Sequence, residues 1–255
     1  MKLLFLGDVV GESGVGILER RLYKLKRRYE IDFTIINGEN SAVGNGISEQ
    51  SFRRLIQLGA DVVTGGNHSF HRLGSEQLHD DTEALLRPAN YPDGVSGRGV
   101  YVADLFPVKI AVVSLMGVVD LEPLENPFFA IDRIIADLDT PNIFVDIHAE
   151  ATSEKKALGY YLDGRVTGVF GTHTHVQTAD EQVLSGGTAY ITDVGMCGPE
   201  HSVLGVASDI IIEKLKYHTP VKFEPAEGAA FINGVVVDFD EKTGRARSVE
   251  RIVER

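Results

Sequence analysis

The chain has 255 residues, 43% of them hydrophobic and 24% charged, which is enough to bury a sizeable core. Its 37 acidic residues outnumber the 25 lysines and arginines and leave a formal net charge of −12, which disfavours long phosphate backbones as partners and points away from DNA. The one cysteine, Cys197, rules out an intrachain disulfide and fits a reducing compartment. The opening MKLLFLGDVVGE has too short an apolar run for a signal peptide or a membrane span, so a cytoplasmic protein with no membrane contact is expected.

Along the chain, short β-branched apolar runs give way to small or polar residues and then to amphipathic helical stretches. KLLFLGD predicts a strand that leads through VVGESG into the helix VGILERRLYKLKRRYE, where Val15, Leu18, Leu22 and Leu25 fall at helical spacing. DFTIINGEN predicts a second strand and SEQSFRRLIQLG a second helix, with Ser48 as its N-cap and Gly59 just past its end. DVVTGGNH follows, then a stretch without clear periodicity over 69–99. GVYVADLF and KIAVVSLMG read as a hairpin around Pro107, PFFAIDRIIADL as a helix, NIFVDIHAE as a strand, SEKKALGYYL as a helix and RVTGVFGTHTH as a strand. The tail, GAAFINGVVVDFDEKTGRARSVERIVE, predicts closing antiparallel strands with a turn at EKTGR. No linker-like tract divides the chain, so residues 1–255 are expected to form a single α/β domain with mixed pairing.

Ligands of α/β sheets collect outside the carboxyl ends of strands. Reading only those ends selects Asp8, Glu39, Asn40, Asn67, His68, His148, His173 and His175, all metal-competent or acid/base side chains. Each also has an ordinary reading. Asp8 suits an Asx-turn or a helix cap, Asn40 and Asn67 sit beside glycines as turn residues do, and His68 fits a surface loop. His173 and His175 are spaced i, i+2, so on an extended strand they share one face, about 7 Å apart. That serves either one metal or one ligand to each of two metals about 3.5–4 Å apart. Glu39 follows the apolar FTII, where a carboxylate needs a partner or a metal and can bridge two cations. His68 could donate a proton to a leaving alkoxide. Asp146, two residues before His148, is a candidate support for it. His71, His79 and His218 lack partners at a strand end, His201 is a candidate pocket residue, and Cys197 reads as a core residue. The glycines after Asp8 form neither a dinucleotide loop nor a P-loop. Together the strand-end residues point to a binuclear metal site.

The order GD8, GE39N40, GGN67H68, His148 and GTH173TH175 resembles the calcineurin-type metallophosphoesterases. LFLGDVVGESG, INGEN, GGNHSF and FGTHTHVQTADEQVLSGGTAYITDVGMCGP are similar to the YmdB-like branch over nearly the full chain. Val10 stands where the superfamily usually has the histidine of D-x-H, and Glu39 where an aspartate is commoner. The resemblance implies a four-layer sandwich of two mixed β-sheets flanked by helices, a homo-oligomer, and 2′,3′-cyclic nucleotide phosphodiesterase activity with iron or manganese; the ligand types admit zinc as well. It also implies Asp8, Glu39, Asn40 and His175 on one metal and Glu39, Asn67, His148 and His173 on the other, with Glu39 as bridge. A metal-bridging hydroxide would then attack the phosphodiester, with His68 as proton donor.

Two other readings use the same residues. One is a phosphomonoesterase or another phosphodiesterase with the same site, differing in loops such as 69–99 and 117–127. The other is a metal-stabilised regulatory or RNA-binding protein with little turnover, against which the lack of a basic stripe with interleaved aromatics weighs.

Overall fold

Alternation within the first strand sets the layering. In a computed structural model that describes residues 1–255, β1 (Lys2–Leu6) turns Leu3 and Phe5 to one side and Leu4 and Leu6 to the other, and all four are fully buried. A strand buried on both faces needs a cover on each. Leu4 and Leu6 share a core with Leu18, Leu22 and Leu25 of α1 (Gly11–Tyr29) and with Phe52 and Leu55 of α2 (Glu49–Gln57). Leu3 and Phe5 share another with Val112, Phe144 and Phe170, which belong to a second sheet. The far face of that sheet, including Val113, Val145 and Val169, packs on Ala130 and Ile131 of α4 (Pro127–Asp137) and Leu158 of α5 (Thr152–Tyr161). The layers are therefore helix, sheet, sheet, helix, as the family resemblance implies.

The first sheet runs β2 (Asp8–Val9), β12 (Met196–Pro199), β13 (Ala230–Phe239), β1, β3 (Phe33–Asn37), β4 (Val62–Thr64), β5 (Leu85–Leu86), with β14 (Ala246–Glu254) also paired to β13. The second runs β10 (Gln182–Val183), β11 (Ala189–Ile191), β9 (Gly168–Thr172), β8 (Ile143–His148), β7 (Lys109–Met116), β6 (Val100–Asp104). β1, β3, β4 and β5 are parallel to one another, as are β7, β8, β9 and β11, so each set gathers its carboxyl ends at one edge. Asp146 on β8 ties the two edges together. Its Oδ2 accepts from Asn37 Nδ2 at 3.0 Å and Thr64 Oγ1 at 2.5 Å, and its Oδ1 accepts from Thr172 Oγ1 at 2.7 Å.

The predicted hairpin around Pro107 is the β6–β7 pair, and the predicted closing strands are β13 and β14, joined through 240–245. Ser48 caps α2 by accepting from Ser51 N at 3.1 Å, and Gly59, at φ +103°, follows the helix end. Other expectations need correction. α1 begins at Gly11 rather than Val15, and 69–99 contains α3 (Ser75–Asp81) and β5. The strand predicted to reach His175 stops at Thr172. α6 (Ser208–Tyr217), for which no helix was predicted, has no buried residue. A basic stripe also exists after all: Arg20, Lys24 and Arg27 lie exposed on one face of α1 beside the exposed ring of Tyr23. No helix is long and apolar enough to cross a membrane.

His79, on α3, is 1% exposed, and neither ring nitrogen has a hydrogen-bond partner. Burial pushes its imidazole down to about 4. Between that value and the ordinary one the unfolded chain binds a proton that the folded chain refuses. The stabilisation is therefore complete above about pH 6.5 and is lost as pH falls towards 4, by about 3 kcal/mol at most. Urea titrations at pH 7.5 and 4.5 should show a smaller acid loss in His79→Phe than in the native chain; an equal loss would remove His79 from the account.

Candidate metal centre

The layout of the strand ends becomes a cluster because glycine permits close approach there. A Cβ on Gly66, just past β4, would lie 2.3 Å from Glu39 Oε2 and 2.4 Å from His148 Nε2, so only glycine lets this loop pass the site. Glu39 lies at the centre. Its Oε1 is 3.1 Å from His148 Nε2, 3.2 Å from His68 Nδ1 and 3.0 Å from Asn40 Nδ2, and its Oε2 accepts the His68 backbone N–H at 3.1 Å. On one side His148 Nε2 also meets Asn67 Oδ1 at 2.9 Å and His173 Nδ1 at 3.0 Å. On the other, Asp8 Oδ1 is 3.5 Å from His175 Nε2 and 3.5 Å from Asn40 Nδ2. Thus His173 neighbours His148, and His175 neighbours Asp8.

The backbone that aims these two histidines is not a strand. His173 has φ +97° and His175 φ +64°, so the i, i+2 argument from an extended chain does not apply. Left-handed backbone is costly for a non-glycine residue and persists where its surroundings fix it. Here Asp8 Oδ2 accepts from His173 N at 3.1 Å, and Asp193 Oδ2 accepts from Thr174 N at 3.1 Å and Thr174 Oγ1 at 2.6 Å. Asp193 is itself held by Lys155 Nζ at 2.7 Å in a buried ion pair.

Three of the imidazoles at the site, those of His148, His173 and His175, are anchored through their outer nitrogens. His148 Nδ1 meets Thr172 Oγ1 at 2.9 Å, His175 Nδ1 meets the Leu204 carbonyl at 3.1 Å, and His173 Nε2 meets Glu150 Oε2 at 3.1 Å. The Thr172 hydroxyl spends its own proton on Asp146, so it accepts from His148, and Asp146 supports His148 through Thr172 rather than directly. An outer N–H bonded to oxygen leaves the inner nitrogen's lone pair for a cation, the arrangement that metal-ligating histidines adopt.

The electrostatics agree. Burial pushes the Asp8 and Glu39 carboxyls up, but His175 brings Asp8 below its ordinary range, and His148 with His68 brings Glu39 well below. Burial pushes His148 down, yet Glu39 and Asp8 carry it up to about 9, and Asp8 raises His175 against burial. His173 is lowered by burial and by the charge of His148. Two buried carboxylates thus demand positive partners, and divalent cations can replace the protons. Glu39, His148 and His173 each offer a ligand atom within 4.8 Å of the others, and no thiolate is present, so the donor set fits a hard or borderline divalent metal.

Asn40 faces the cluster with Nδ2, while Oδ1 meets His68 Nδ1 at 2.9 Å. To offer oxygen to a metal its amide must turn over. Val10 fills the gap against Gly198 and Gly205 with a methyl group, 2.5 Å from where a Gly205 Cβ would stand. Cys197 is buried and its thiol is pushed up to about 12, in keeping with a core residue. The His71 ring lies tilted against that of His68 with ring centroids 4.5 Å apart, and His201 and His218 are exposed. Sequence reasoning missed Glu150, Thr172, Asp193 and Lys155. Only Glu150 left a local trace, as the acid two residues past His148 in DIHAE. Glu150→Gln should weaken metal affinity by about 10–100-fold, the usual effect of losing such a support. Titration with manganese would measure it, and unchanged affinity would show that Glu150 does not fix the His173 ring.

The family model described as YmdB-like protein matches residues 4–252. A 2′,3′-cyclic-nucleotide 2′-phosphodiesterase of Bacillus subtilis (strain 168) is 48% identical over 255 residues, covering 99% of this chain and 97% of that protein. The crystal structure of a novel phosphatase from Mycoplasma pneumoniae matches with a TM-score of 0.93 at 37% identity, covering 100% of this chain and 94% of the other. The crystal structure of a calcineurin-like phosphoesterase from Bacillus subtilis shares the fold, with a TM-score of 0.57 at 11% identity, and covers 100% and 90% of the two chains.

Proposed function

Because the chain belongs to the YmdB-like family of phosphoesterases, we propose that it hydrolyses 2′,3′-cyclic nucleotides with two divalent metal ions, iron or manganese, at its strand ends. The observation that carries this reading is the set of three imidazoles, each tied outward by one nitrogen, with the other turned inward: His148 to Glu39, His175 to Asp8 and His173 to His148. Asp8, Asn40 and His175 would hold one ion, Asn67, His148 and His173 the other, and Glu39 would reach both. Once bound, the ions supply Lewis acidity, screening the phosphate charge and lowering the pKa of a coordinated water towards neutrality.

The chain's own groups do the rest. Burial of Asp8, Glu39 and His148 at the floor keeps the carboxylates and imidazoles rigid and short of water. His68 is the proton donor. Its side chain is 20% exposed and can reach a substrate, while its Nδ1 is engaged by Asn40 Oδ1, so the proton given to the departing ribose oxygen leaves from Nε2. Assembly belongs to the same proposal. α6 turns Ile212, Leu215 and Tyr217 to solvent, an unpartnered apolar surface on which a second copy would pack. Cytoplasmic placement, where Cys197 stays reduced, completes the reading.

The test is metal analysis combined with a panel of 2′,3′-cyclic, 3′,5′-cyclic and monoester substrates under manganese, iron or zinc. The expected result is two equivalents of metal and fastest turnover of the 2′,3′-cyclic ester. Preference for a monoester would reassign the substrate. Two bound equivalents with no turnover on any ester would make this a binding protein.

A further inference from the structure

The outer face of α1 departs most strongly from the chain's acidity. Arg20, Lys24 and Arg27 recur at i, i+4 and i+7, opposite the buried Val15, Leu18, Leu22 and Leu25. The nearby acids already have partners: Glu12 and Glu19 with Arg54, each at 2.8 Å, Glu30 with Lys2 at 3.1 Å, and Glu254 with Arg28 at 2.7 Å. Arg20, Lys24 and Arg27 join no ion pair, so their charge is uncompensated. Between them stands Tyr23, 70% exposed, with the Arg27 guanidinium 5.9 Å from its ring centroid. A groove of about 390 Å³ runs beside Tyr23, Lys26, Arg27 and Leu58.

We propose that this face binds single-stranded RNA, with phosphates on Arg20, Lys24 and Arg27 and a base stacked on Tyr23. Cations that follow a backbone and an aromatic face for a base are the two features that sequence-tolerant single-strand binding requires. Arg20 and Arg27 are about 10 Å apart along the helix axis, room for more than one phosphate. A membrane surface is the less fitting partner, because an interfacial helix presents Leu, Phe or Trp outward, and the apolar residues of α1 point into the core.

The choice of RNA rests on the phosphodiester reading of the strand-end site. A 2′,3′-cyclic phosphate forms when a ribose 2′-oxygen bonds to the adjacent phosphorus while the P–O5′ bond breaks; the 2′ proton leaves and the departing 5′-oxygen gains one. Cleavage of RNA by its own 2′-hydroxyl is therefore the class of reaction that supplies such a substrate. α1 starts three residues after Asp8, with Arg20 about 14 Å further along its axis, so the stripe lies on the helix that directly follows a residue of the site.

Fluorescence anisotropy of the full chain with a labelled twelve-nucleotide oligouridylate, across a sodium chloride series, tests the proposal. The comparison is with Arg20→Gln/Lys24→Gln/Arg27→Gln and with Tyr23→Ala. The triple variant should bind at least about tenfold more weakly and flatten the log–log salt slope by about 2, from three lost phosphate contacts. Tyr23→Ala should lose about 5–150-fold. Turnover of a mononucleotide 2′,3′-cyclic ester and the melting temperature should not change. No binding by the native chain, or equal binding by the triple variant, overturns the proposal; so does binding to phosphatidylserine vesicles in place of RNA. Failure of the hydrolysis reading appears in metal content and turnover, so the two outcomes are separable.

Discussion

Glu39→Gln is expected to abolish turnover of a 2′,3′-cyclic ester and to remove metal from both positions. The Glu39 carboxylate meets side chains of both groups, His148 at 3.1 Å on one side and Asn40 at 3.0 Å on the other. Glutamine keeps its volume and can keep the contact with the His68 backbone N–H, 3.1 Å from Oε2, so the loop beyond Gly66 stays in place. What disappears is the negative charge, in a site where Glu39 is 1% exposed and water cannot replace it. With Glu39 as the proposed ligand of both ions, its loss should exceed the 10–100-fold cost in metal affinity of losing an outer support, so a fall of more than about 100-fold is expected. Two measurements check this: metal per chain by elemental analysis, and the rise in melting temperature on adding manganese, which exists only while the folded chain binds the ion. A variant that retains two equivalents and works within tenfold of the native rate would overturn the bridging role.

The strand ends were legible because the chain obeys a simple rule there. Runs such as KLLFL and FTIIN are buried on both faces, end together through parallel registers, and give way to glycine and then to a polar residue. A polar residue at that place has little to do except meet a ligand or a cap. The supports were illegible for an equally physical reason. Thr172 acts for His148 from the neighbouring strand, Leu204 offers only a carbonyl, and Lys155 works through Asp193 on a distant turn. The left-handed backbone of His173 and His175 depends on Asp8 and Asp193, so spacing alone suggested a straight strand. α6 was missed because no face of it is buried, which removes the contrast that helical periodicity relies on. The α1 stripe was visible as ERRLYKLKRR but was hidden by the total charge. A sum of −12 does not record that Glu12 and Glu19 are taken by Arg54 while Arg20, Lys24 and Arg27 stay free.

His68→Ala should separate proton donation from metal binding. Its imidazole touches Glu39 Oε1 at 3.2 Å and Asn40 Oδ1 at 2.9 Å, but its backbone N–H, which holds Glu39 Oε2, survives the substitution. The metal positions should therefore keep their occupancy, while the rate on a 2′,3′-cyclic nucleotide falls about 10²–10⁴-fold, the range of general acid catalysis. At 1.36 kcal/mol per tenfold that is about 3–5 kcal/mol of barrier. The leaving group supplies the sharper test. A ribose oxygen departs as a poor leaving group and needs the proton, whereas p-nitrophenolate departs readily without one. The defect should therefore shrink on a p-nitrophenyl diester under the same metal loading. A defect of equal size on both esters would mean that His68 positions the substrate or the metals and donates no proton. Loss of metal in His68→Ala would lead to the same conclusion, because the Asn40 amide, freed from His68 Nδ1, would then have been what kept the site in order.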